Sequence, residues 1–598
     1  MKNLKPIPYG KSDFEAINAE GRYYIDKTAF IPALEAVDFN FLLRPRRFGK
    51  SLLLSTLQSY YDVNKADRFE ELYKDTWILN HPTADRGRYM VLYFNFSAVE
   101  KNIDRLQASF ESHCTRVLDH FVQRYESRLP AGAISAINSA ATAHDKLDAL
   151  SINLNSPENP IYVFIDEYDN FTNTIISEYG SKHYEALTHG SGAFRDFFSV
   201  LKAATSGSGS PVARIFITGV SPVTMDDVTS GFNIGSNISH QYALNACCGF
   251  VVKEVEQMLD YYIKEGGIRI DKQEALDVLG KWAGGYRFSD EADEEVYNSD
   301  LVLYFIQALL RSRNKDRIPK AIIDPNIRTD YGKLRNLVLT DLQGEKTLNG
   351  NFSKLKLITD EGQVSCELKE SFPNKDVAER DNFLSLIYHL GFLTRMESPI
   401  DGFSALKVPN ESMQSLLYEF VREGLKSANT FAVDMLKMGD LMRFMAYHGK
   451  WQEVFAFIAG EIQTQSSVRD YVEGEKLIQG FMMAYLNVHN HFCTTSEREL
   501  NKGYSDLVLL PSAQYPDAPY SFILELKYIP RTKGKVALNT KLKAEIAAAQ
   551  AQITRYAADQ SLQKRLCNPA GQKLKLACGV MVFHGWEMIH CEPYELGT

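Results

Sequence analysis

Two stretches of this chain carry residues whose types and spacing could do chemistry. The first is Arg46-Arg47-Phe48-Gly49-Lys50-Ser51-Leu52, which follows the apolar run Phe41-Leu42-Leu43. A strand, a basic glycine turn and a helix, in that order, are what a phosphate cradle requires. N–H groups at the helix start face the anion, and the helix dipole favours negative charge there. Gly49 lets the main chain come close, Lys50 would reach the β- and γ-phosphates of a nucleotide, and the Ser51 hydroxyl would take a place on Mg²⁺. The full phosphate-loop pattern has a glycine five residues before Gly49, and here that position is Arg44. The match is therefore partial, and a basic strand-to-helix turn with a chance Gly-Lys-Ser is the alternative.

A second half-site lies downstream. Ile161-Tyr162-Val163-Phe164-Ile165-Asp166-Glu167 is a buried-strand pattern ending in two carboxylates. Asp166 fits an aspartate that helps hold Mg²⁺ through water, and Glu167 fits the base that polarises an attacking water. A strand ending in a solvated acidic turn is the other reading. Arg214-Ile215-Phe216-Ile217-Thr218-Gly219 is a further strand, and Thr218 stands where a γ-phosphate is sensed. Most strand-end threonines only begin a turn.

The other chemical stretch is near the carboxyl end. Gly503-Tyr504-Ser505-Asp506 opens a strand, and Ser521-Phe522-Ile523-Leu524-Glu525-Leu526-Lys527 is a second one with Glu-x-Lys at its end. Period 2 puts Glu525 and Lys527 on one side. Asp506, Glu525 and the Leu526 carbonyl are hard oxygen ligands suited to Mg²⁺. Lys527 would orient and help deprotonate a water, Glu475 on the preceding helix could join through water or a second ion, and Gln552 on the following helix could hold the lysine or a phosphate oxygen. A surface ion pair on an edge strand is the alternative. The basic Arg531, Lys533, Lys535, Lys541 and Lys543 could follow a DNA backbone, or form a solvated loop ahead of a helix expected over Ala544 to Ala557.

The elements that must position these groups follow from periodicity. Strands expected at 41–43, 89–96, 161–166 and 214–219 alternate with helical patterns, which implies βα units and a mainly parallel sheet. Ligands of such sheets sit at the carboxyl ends of the strands, where Gly49, Asp166 and Thr218 fall. From about 245 to 310 the pattern turns helical, broken by Gly284-Gly285-Tyr286-Arg287-Phe288. Arg287 could touch nucleotide phosphates or be a surface arginine on a glycine turn; Arg195 and Arg214 are rivals for a finger acting in trans. Phe383 to Leu393 reads as a helix running into a strand, as in a winged-helix unit.

With 598 residues the chain is too long for one core, so three or four domains are expected. Charge of −9 argues against coating nucleic acid with the whole surface, but leaves room for a local basic groove. No apolar run approaches the roughly 18–20 residues a membrane span needs, and no signal-peptide core follows Met1. The eight cysteines form no CxxC pair and read as reduced thiols of a cytoplasmic protein.

Tyr23-Tyr24-Ile25-Asp26-Lys27-Thr28, the Arg46 to Ser51 loop and Phe164-Ile165-Asp166-Glu167-Tyr168-Asp169 together resemble the bacterial predicted AAA-ATPase-like proteins, which are similar to archaeal and STAND P-loop ATPases. In that family the first loop glycine is commonly absent, and Gly-Tyr-Arg-Phe with Tyr-Asn marks a helical lid. The C-terminal order of helix, strand, strand and helix resembles the PD-(D/E)XK nuclease core that many members carry. The resemblance implies an α/β protein: a P-loop NTPase parallel sheet at 1–245, a helical lid at 246–350, a winged-helix-like linker at 351–455, and a PD-(D/E)XK nuclease-like domain at 456–598. It further implies ATP and Mg²⁺ as cofactors, nucleic acid (DNA first) as partner, and no membrane; assembly of identical chains stays open. The expected activity is an ATPase whose nucleotide state controls cleavage. The rival is an ATP-switched regulatory or nucleic-acid-binding protein with a non-cleaving C-terminal module.

Overall fold

A computed structural model describes residues 4–313 except 101, 156, 171–192, 208 and 224–233. It also describes 315–596 except 317, 320–321, 329–353, 356, 360–361, 374–375, 378, 398–401, 428–431, 466–477, 479–481, 484, 487–490, 496–497, 501–502, 506, 513–514, 516, 532–533 and 567–572. The chain divides into two compact units. One comprises 1–317, 323–344 and 363–410; the other comprises 318–322, 345–362 and 411–598.

The first unit is built on β1 (Phe39–Leu43), β2 (Met90–Asn95), β3 (Ile161–Asp166), β4 (Val212–Gly219) and β5 (Ser236–Asn237). All pairings are parallel and the order is β2-β3-β4-β1-β5. Every residue of β3 is buried. A parallel sheet covered on both faces demands near-continuous apolar strands, which is why Ile161 to Ile165 shows no polar alternation. Helix α1 (Lys50–Tyr61) covers one face through Leu53, Leu54, Leu57 and Tyr61, and the Tyr61 ring meets Tyr162 at 5.0 Å. The opposite face carries α2 (Ile103–Arg124), α3 (Ala143–Asn153) and α4 (Ala193–Ala203). There Phe94, Val163 and Ile215 pack with Phe110, Leu147 and Phe197. Each such side chain contributes about 1.5–3 kcal/mol by leaving water, so the sheet is a rigid base for whatever stands at its carboxyl edge.

Three helices follow: α5 (Val252–Gly266), α6 (Lys272–Ala283) and α7 (Ser299–Arg311), with a short antiparallel pair, β6 (Phe250–Val251) and β7 (Val296–Tyr297). Next, β8 (Gln363–Cys366), β9 (Thr394–Arg395) and β10 (Ser404–Lys407) form an antiparallel sheet of order β8-β10-β9 beside α8 (Arg380–His389). The helix-into-strand pattern expected at 383–393 is α8 leading into β9.

The second unit contains α9 (Glu411–Ser427), α10 (Met435–His448), α11 (Trp451–Thr464), β11 (Phe492–Thr495), β12 (Arg498–Leu500), β13 (Gly503–Ser505), β14 (Leu507–Pro511), β15 (Tyr520–Ile529), α12 (Lys535–Ala557), β16 (Lys575–His584) and β17 (Glu587–Tyr594). Its sheet has the order β11-β14-β15-β16-β17, with β15 and β16 parallel and the other neighbours antiparallel. Helix α12 packs on one face, against Ile523, Ile529, Val580 and Val582. On the other face Trp451 of α11 lies over Gly579, where a Cβ would come within 2.1 Å of the indole Cζ2. Helix α12 begins at Lys535, nine residues before the start expected from sequence. Leu538, Leu542 and Ile546 extend the core stripe of Ala549, Ile553 and Tyr556 at helical spacing, and this packing carries the helix through the basic segment.

Candidate functional site

At the carboxyl edge of the first sheet, Asp166 ends β3 and is 1% exposed. Ser51, in the first turn of α1, donates from Oγ to Asp166 Oδ2 at 2.6 Å. Thr218 of β4 donates from Oγ1 to Asp166 Oδ1 at 2.7 Å, and the Glu167 N–H reaches the same oxygen at 3.0 Å. Since β4 lies between β3 and β1, Thr218 is the residue that stands between the two halves of the site. A buried carboxylate is tolerable only when its oxygens are bonded, and these three donors meet that need.

The glycine turn is held from several sides. Gly49 caps α1 at φ +87°, and Arg47 also has a positive φ of +71°. Left-handed residues in such a turn aim successive N–H groups into one concavity, the geometry of an anion nest. Phe48 is buried edge-on against Tyr286 and Phe288, at 4.8 and 5.4 Å. Ser299 Oγ donates to the Arg47 carbonyl at 3.1 Å, Asn298 Nδ2 to the Arg46 carbonyl at 3.4 Å, and Asp300 faces the Arg47 guanidinium at 3.7 Å. Lys50 folds back across the loop, donating from Nζ to the Arg44 and Pro45 carbonyls at 2.9 Å each. Burial pulls its pKa down, while Asp166 and Glu167 pull the other way.

Arg44, at the position of the missing glycine, is 1% exposed. Its guanidinium donates to the carbonyls of Leu43, Ser239 and Leu244 at 3.0, 2.6 and 2.9 Å and lies 4.1 Å from the Phe288 ring centroid. This side chain ties the base of the loop to the 239–244 turn.

Glu167 adopts φ +52°, a conformation that L-residues rarely take and that concentrates at functional sites. Asn170 Nδ2 donates to its Oε2 at 2.8 Å. Burial first, then the neighbouring Asp166, raise the Glu167 pKa. A cavity of about 480 Å³ opens above these groups, lined among others by Tyr24, Lys27, Gly49, Ser51, Glu167 and Cys248. That volume lies within the range of small-molecule sites. Lys27 is anchored there by both Glu254 carboxylate oxygens, at 2.8 and 2.7 Å.

In the second unit, Glu525 and Lys527 project from β15 toward the α12 face, in line with Ile523 and Ile529. Glu525 is fully buried, and Lys527 Nζ donates to its Oε2 at 3.2 Å. On α12 the Gln552 Oε1 is buried with no hydrogen-bond partner among the described residues. A buried ion pair contributes little to stability for its desolvation cost, so its presence inside an apolar layer points to chemistry.

Residues 8–229 match the family model described as predicted AAA-ATPase, and residues 473–593 match that of the PD-(D/E)XK nuclease superfamily. The chain joins a predicted AAA-ATPase domain to a PD-(D/E)XK nuclease superfamily domain. It is also similar to an uncharacterized protein in the vnfD 5′ region of Azotobacter chroococcum mcd 1, 27% identical over 310 residues, which are 50% of this chain and 52% of that protein. The chain thus spans about half the length of that curated relative.

In the ATPase domain the donor set fits a nucleoside triphosphate with Mg²⁺: a left-handed N–H cradle, one lysine, and a serine hydroxyl beside a buried carboxylate. Arg46, Arg47, Phe48 and Leu52 line the same cavity. Arg287 is not among the lining residues; its Nε stands 3.9 Å from Glu295, and its N–H bonds Thr394 Oγ1. Arg214 is engaged near the amino end of β4 by Asp85 and Asp38 at 3.1 and 3.4 Å. In the nuclease-superfamily domain, Glu525 and the Leu526 carbonyl are oxygen donors of the type Mg²⁺ takes, and the orphaned Gln552 oxygen fits a further polar guest. Glu475 and Asp506 lie outside the described residues. Among these, no group of three or more His, Cys, Asp or Glu is placed to hold a metal, and no helix is long and apolar enough to cross a membrane.

Sequence reasoning did not single out the Asn298-Ser299-Asp300 buttress as part of the loop. Its signal was present, since an asparagine ahead of an apolar helix is a cap signature, and Asn298 does cap α7. Asn170 and Arg44 were not recognisable as supports, because each acts through a contact that only folding makes.

Proposed function

We propose that the ATPase domain binds and hydrolyses ATP with Mg²⁺ and that the nuclease-superfamily domain cleaves phosphodiester bonds in DNA, with nucleotide state governing cleavage. The observation that carries this reading is the buried Asp166, bonded by Thr218 and by Ser51, which itself lines the cavity. Bound Mg²⁺ would supply charge neutralisation on the phosphates and acidify a coordinated water.

The chain's own residues do the rest. Lys50 exchanges its two carbonyl acceptors for phosphate oxygens, and the Gly49 turn directs N–H groups at the same anion. Glu167, released from Asn170, takes a proton from the attacking water; such general-base help is worth about 10²–10⁴ in rate. In the nuclease-superfamily domain Glu525 and the Leu526 carbonyl would hold a Mg²⁺ ion, and Lys527 would steady the nucleophile there. The described cysteines carry free thiols, which fits a reducing cytoplasm.

The test is phosphate release by the full chain, together with Mg²⁺-dependent degradation of linear DNA with ATP, with a non-hydrolysable analogue and with neither. Cleavage that responds to nucleotide is expected. Phosphate release or nucleotide binding without any cleavage of DNA or RNA would favour the ATP-switched binding protein instead.

A further inference from the structure

The cavity wall contains a feature that phosphate chemistry does not use. Cys247 and Cys248 are neighbours in sequence, and both line the cavity beside Gly49 and Lys50. The turn that bears them is fixed at each end. Arg44 Nη2 holds the Leu244 carbonyl at 2.9 Å, and the Gly249 N–H holds the Phe48 carbonyl at 2.8 Å. The thiols are therefore next to the phosphate loop and mechanically joined to it. Both residues are buried in the cavity wall, at 1% and 2% exposure, and Arg44, Lys27 and Lys50 supply the cationic surroundings that favour a thiolate.

We propose that Cys247 and Cys248 form a thiol redox site on which a hydroperoxide acts, and that their oxidation to a vicinal disulfide closes the cavity to nucleotide. The consequence for nucleotide rests on the cavity being the ATP site; the thiol chemistry does not.

The two sulfurs have distinct roles. The neighbouring Cys248 thiol pulls the Cys247 thiol below its ordinary pKa against the opposing effect of burial, while Cys248 is itself raised. The Cys247 thiolate attacks the peroxide, an S–O bond forms, the O–O bond breaks, and hydroxide leaves to collect a proton as water. The Cys248 sulfur then attacks the sulfenic sulfur of Cys247. An S–S bond forms, the S–O bond breaks, and a second water leaves with the Cys248 proton. Two electrons pass from the thiol pair to the peroxide, which ends as water.

The product ring is strained, because adjacent Cα atoms are about 3.8 Å apart and ordinary disulfides span about 4.4–6.8 Å. It therefore needs main-chain movement at 247–248, one residue from the N–H that holds Phe48, and it is readily reduced again. Burial also raises the thiol pKa of Cys114, Cys366 and Cys578, but none of these adjoins a second cysteine.

The experiment treats the full chain with hydrogen peroxide and reads intact mass, the linked 247–248 peptide, and affinity for a fluorescent ATP analogue. The expected result is loss of two hydrogen atoms, at least a tenfold drop in affinity, recovery with dithiothreitol, and protection by ATP with Mg²⁺. Cys248→Ser, compared with its own untreated state, should show neither the mass loss nor the reversible affinity drop. No 247–248 bond, or a bond with unchanged affinity, overturns the inference. If the reduced protein binds no ATP analogue, the nucleotide reading of the cavity fails instead, and the mass measurement still decides the thiol chemistry. Should Cys248→Ser not fold, dithiothreitol reversal and ATP protection in the unaltered protein decide the same point.

Discussion

Ser51 Oγ donates to Asp166 Oδ2 across 2.6 Å, although the strand leading to Ser51 and the strand ending at Asp166 are not neighbours. Strand β4 separates them, paired through Leu42 with Thr218 on one side and Ile165 with Ile217 on the other. The carboxylate at the end of β3 therefore meets a helix start two strand positions away, and Thr218 contributes a hydroxyl from the strand between. The groups proposed to bind and to hydrolyse the nucleotide share one edge without sharing a segment, so mutation can test them separately.

Lys50→Ala should remove nucleotide binding, because it deletes the cation facing the phosphates. Glu167→Gln should keep binding within a few-fold and lower hydrolysis by about 10²–10⁴. Titration with a fluorescent ATP analogue and a phosphate-release assay separate the two. Equal loss of binding in both variants would speak against Glu167 as the base.

The pH dependence follows from the direction of the Glu167 shift. Burial and Asp166 raise its pKa, so it keeps its proton to a higher pH than an ordinary glutamate. The base is active only when ionised. Hydrolysis should therefore fall, as pH is lowered, while ordinary glutamates are still ionised. For stability the sign is opposite to that of a salt-bridged carboxylate. Its contribution declines as pH rises from the unfolded pKa through the raised folded one. Glu167→Gln should remove that decline, which denaturation at two pH values on either side would show.

Arg44→Gly restores the glycine of the full loop pattern, yet it should weaken the ATPase domain. The Ser239 carbonyl loses its guanidinium donor, and a buried group left unpaired costs about 1–3 kcal/mol, while the Leu244 carbonyl keeps only the Cys247 N–H at 3.3 Å. A lower melting temperature together with weaker ATP binding is expected. Arg44→Lys should recover part of the binding by retaining the charge and one donor. A gain in affinity for Arg44→Gly would mean that Arg44 merely fills space.

Lys527→Ala should abolish DNA cleavage and leave the fully buried Glu525 without its lysine. Breaking a buried pair in this way costs about 3–5 kcal/mol. The double variant Glu525→Gln with Lys527→Met should regain most of that stability while remaining inactive. Comparing thermal midpoints with cleavage rates tells loss of chemistry from loss of fold.

Gly579→Ala should destabilise the nuclease-superfamily domain by at least about 1–3 kcal/mol, the usual cost of overpacking. Its Cβ would meet the Trp451 ring, which is itself 2% exposed. Trp451→Phe on the same background should recover part of the loss, since the smaller ring vacates the overlapping atoms. ATP binding, measured in parallel, should not follow these changes.

The sequence by itself determined the main strands and the order of the chemical groups along them. Ile161 to Ile165 had to be a covered strand because nothing else accommodates five apolar residues ending in two carboxylates beside a Gly-Lys-Ser turn. The same local logic marked β15 by its Glu-x-Lys. Two-residue strands such as β5, β6 and β7 carry too little pattern to be read, and the basic segment before Ala544 looked solvated because its core stripe is diluted by lysines. Only the tertiary structure decided what braces the loop. Asn298 reaches the Arg46 carbonyl across 252 positions of chain, and Arg44 replaces a glycine by gripping carbonyls 195 and 200 positions away. A side chain's type and spacing state which bonds it can make, but the partner is chosen when the sheet order and the helices that follow it bring distant main chain within hydrogen-bond reach.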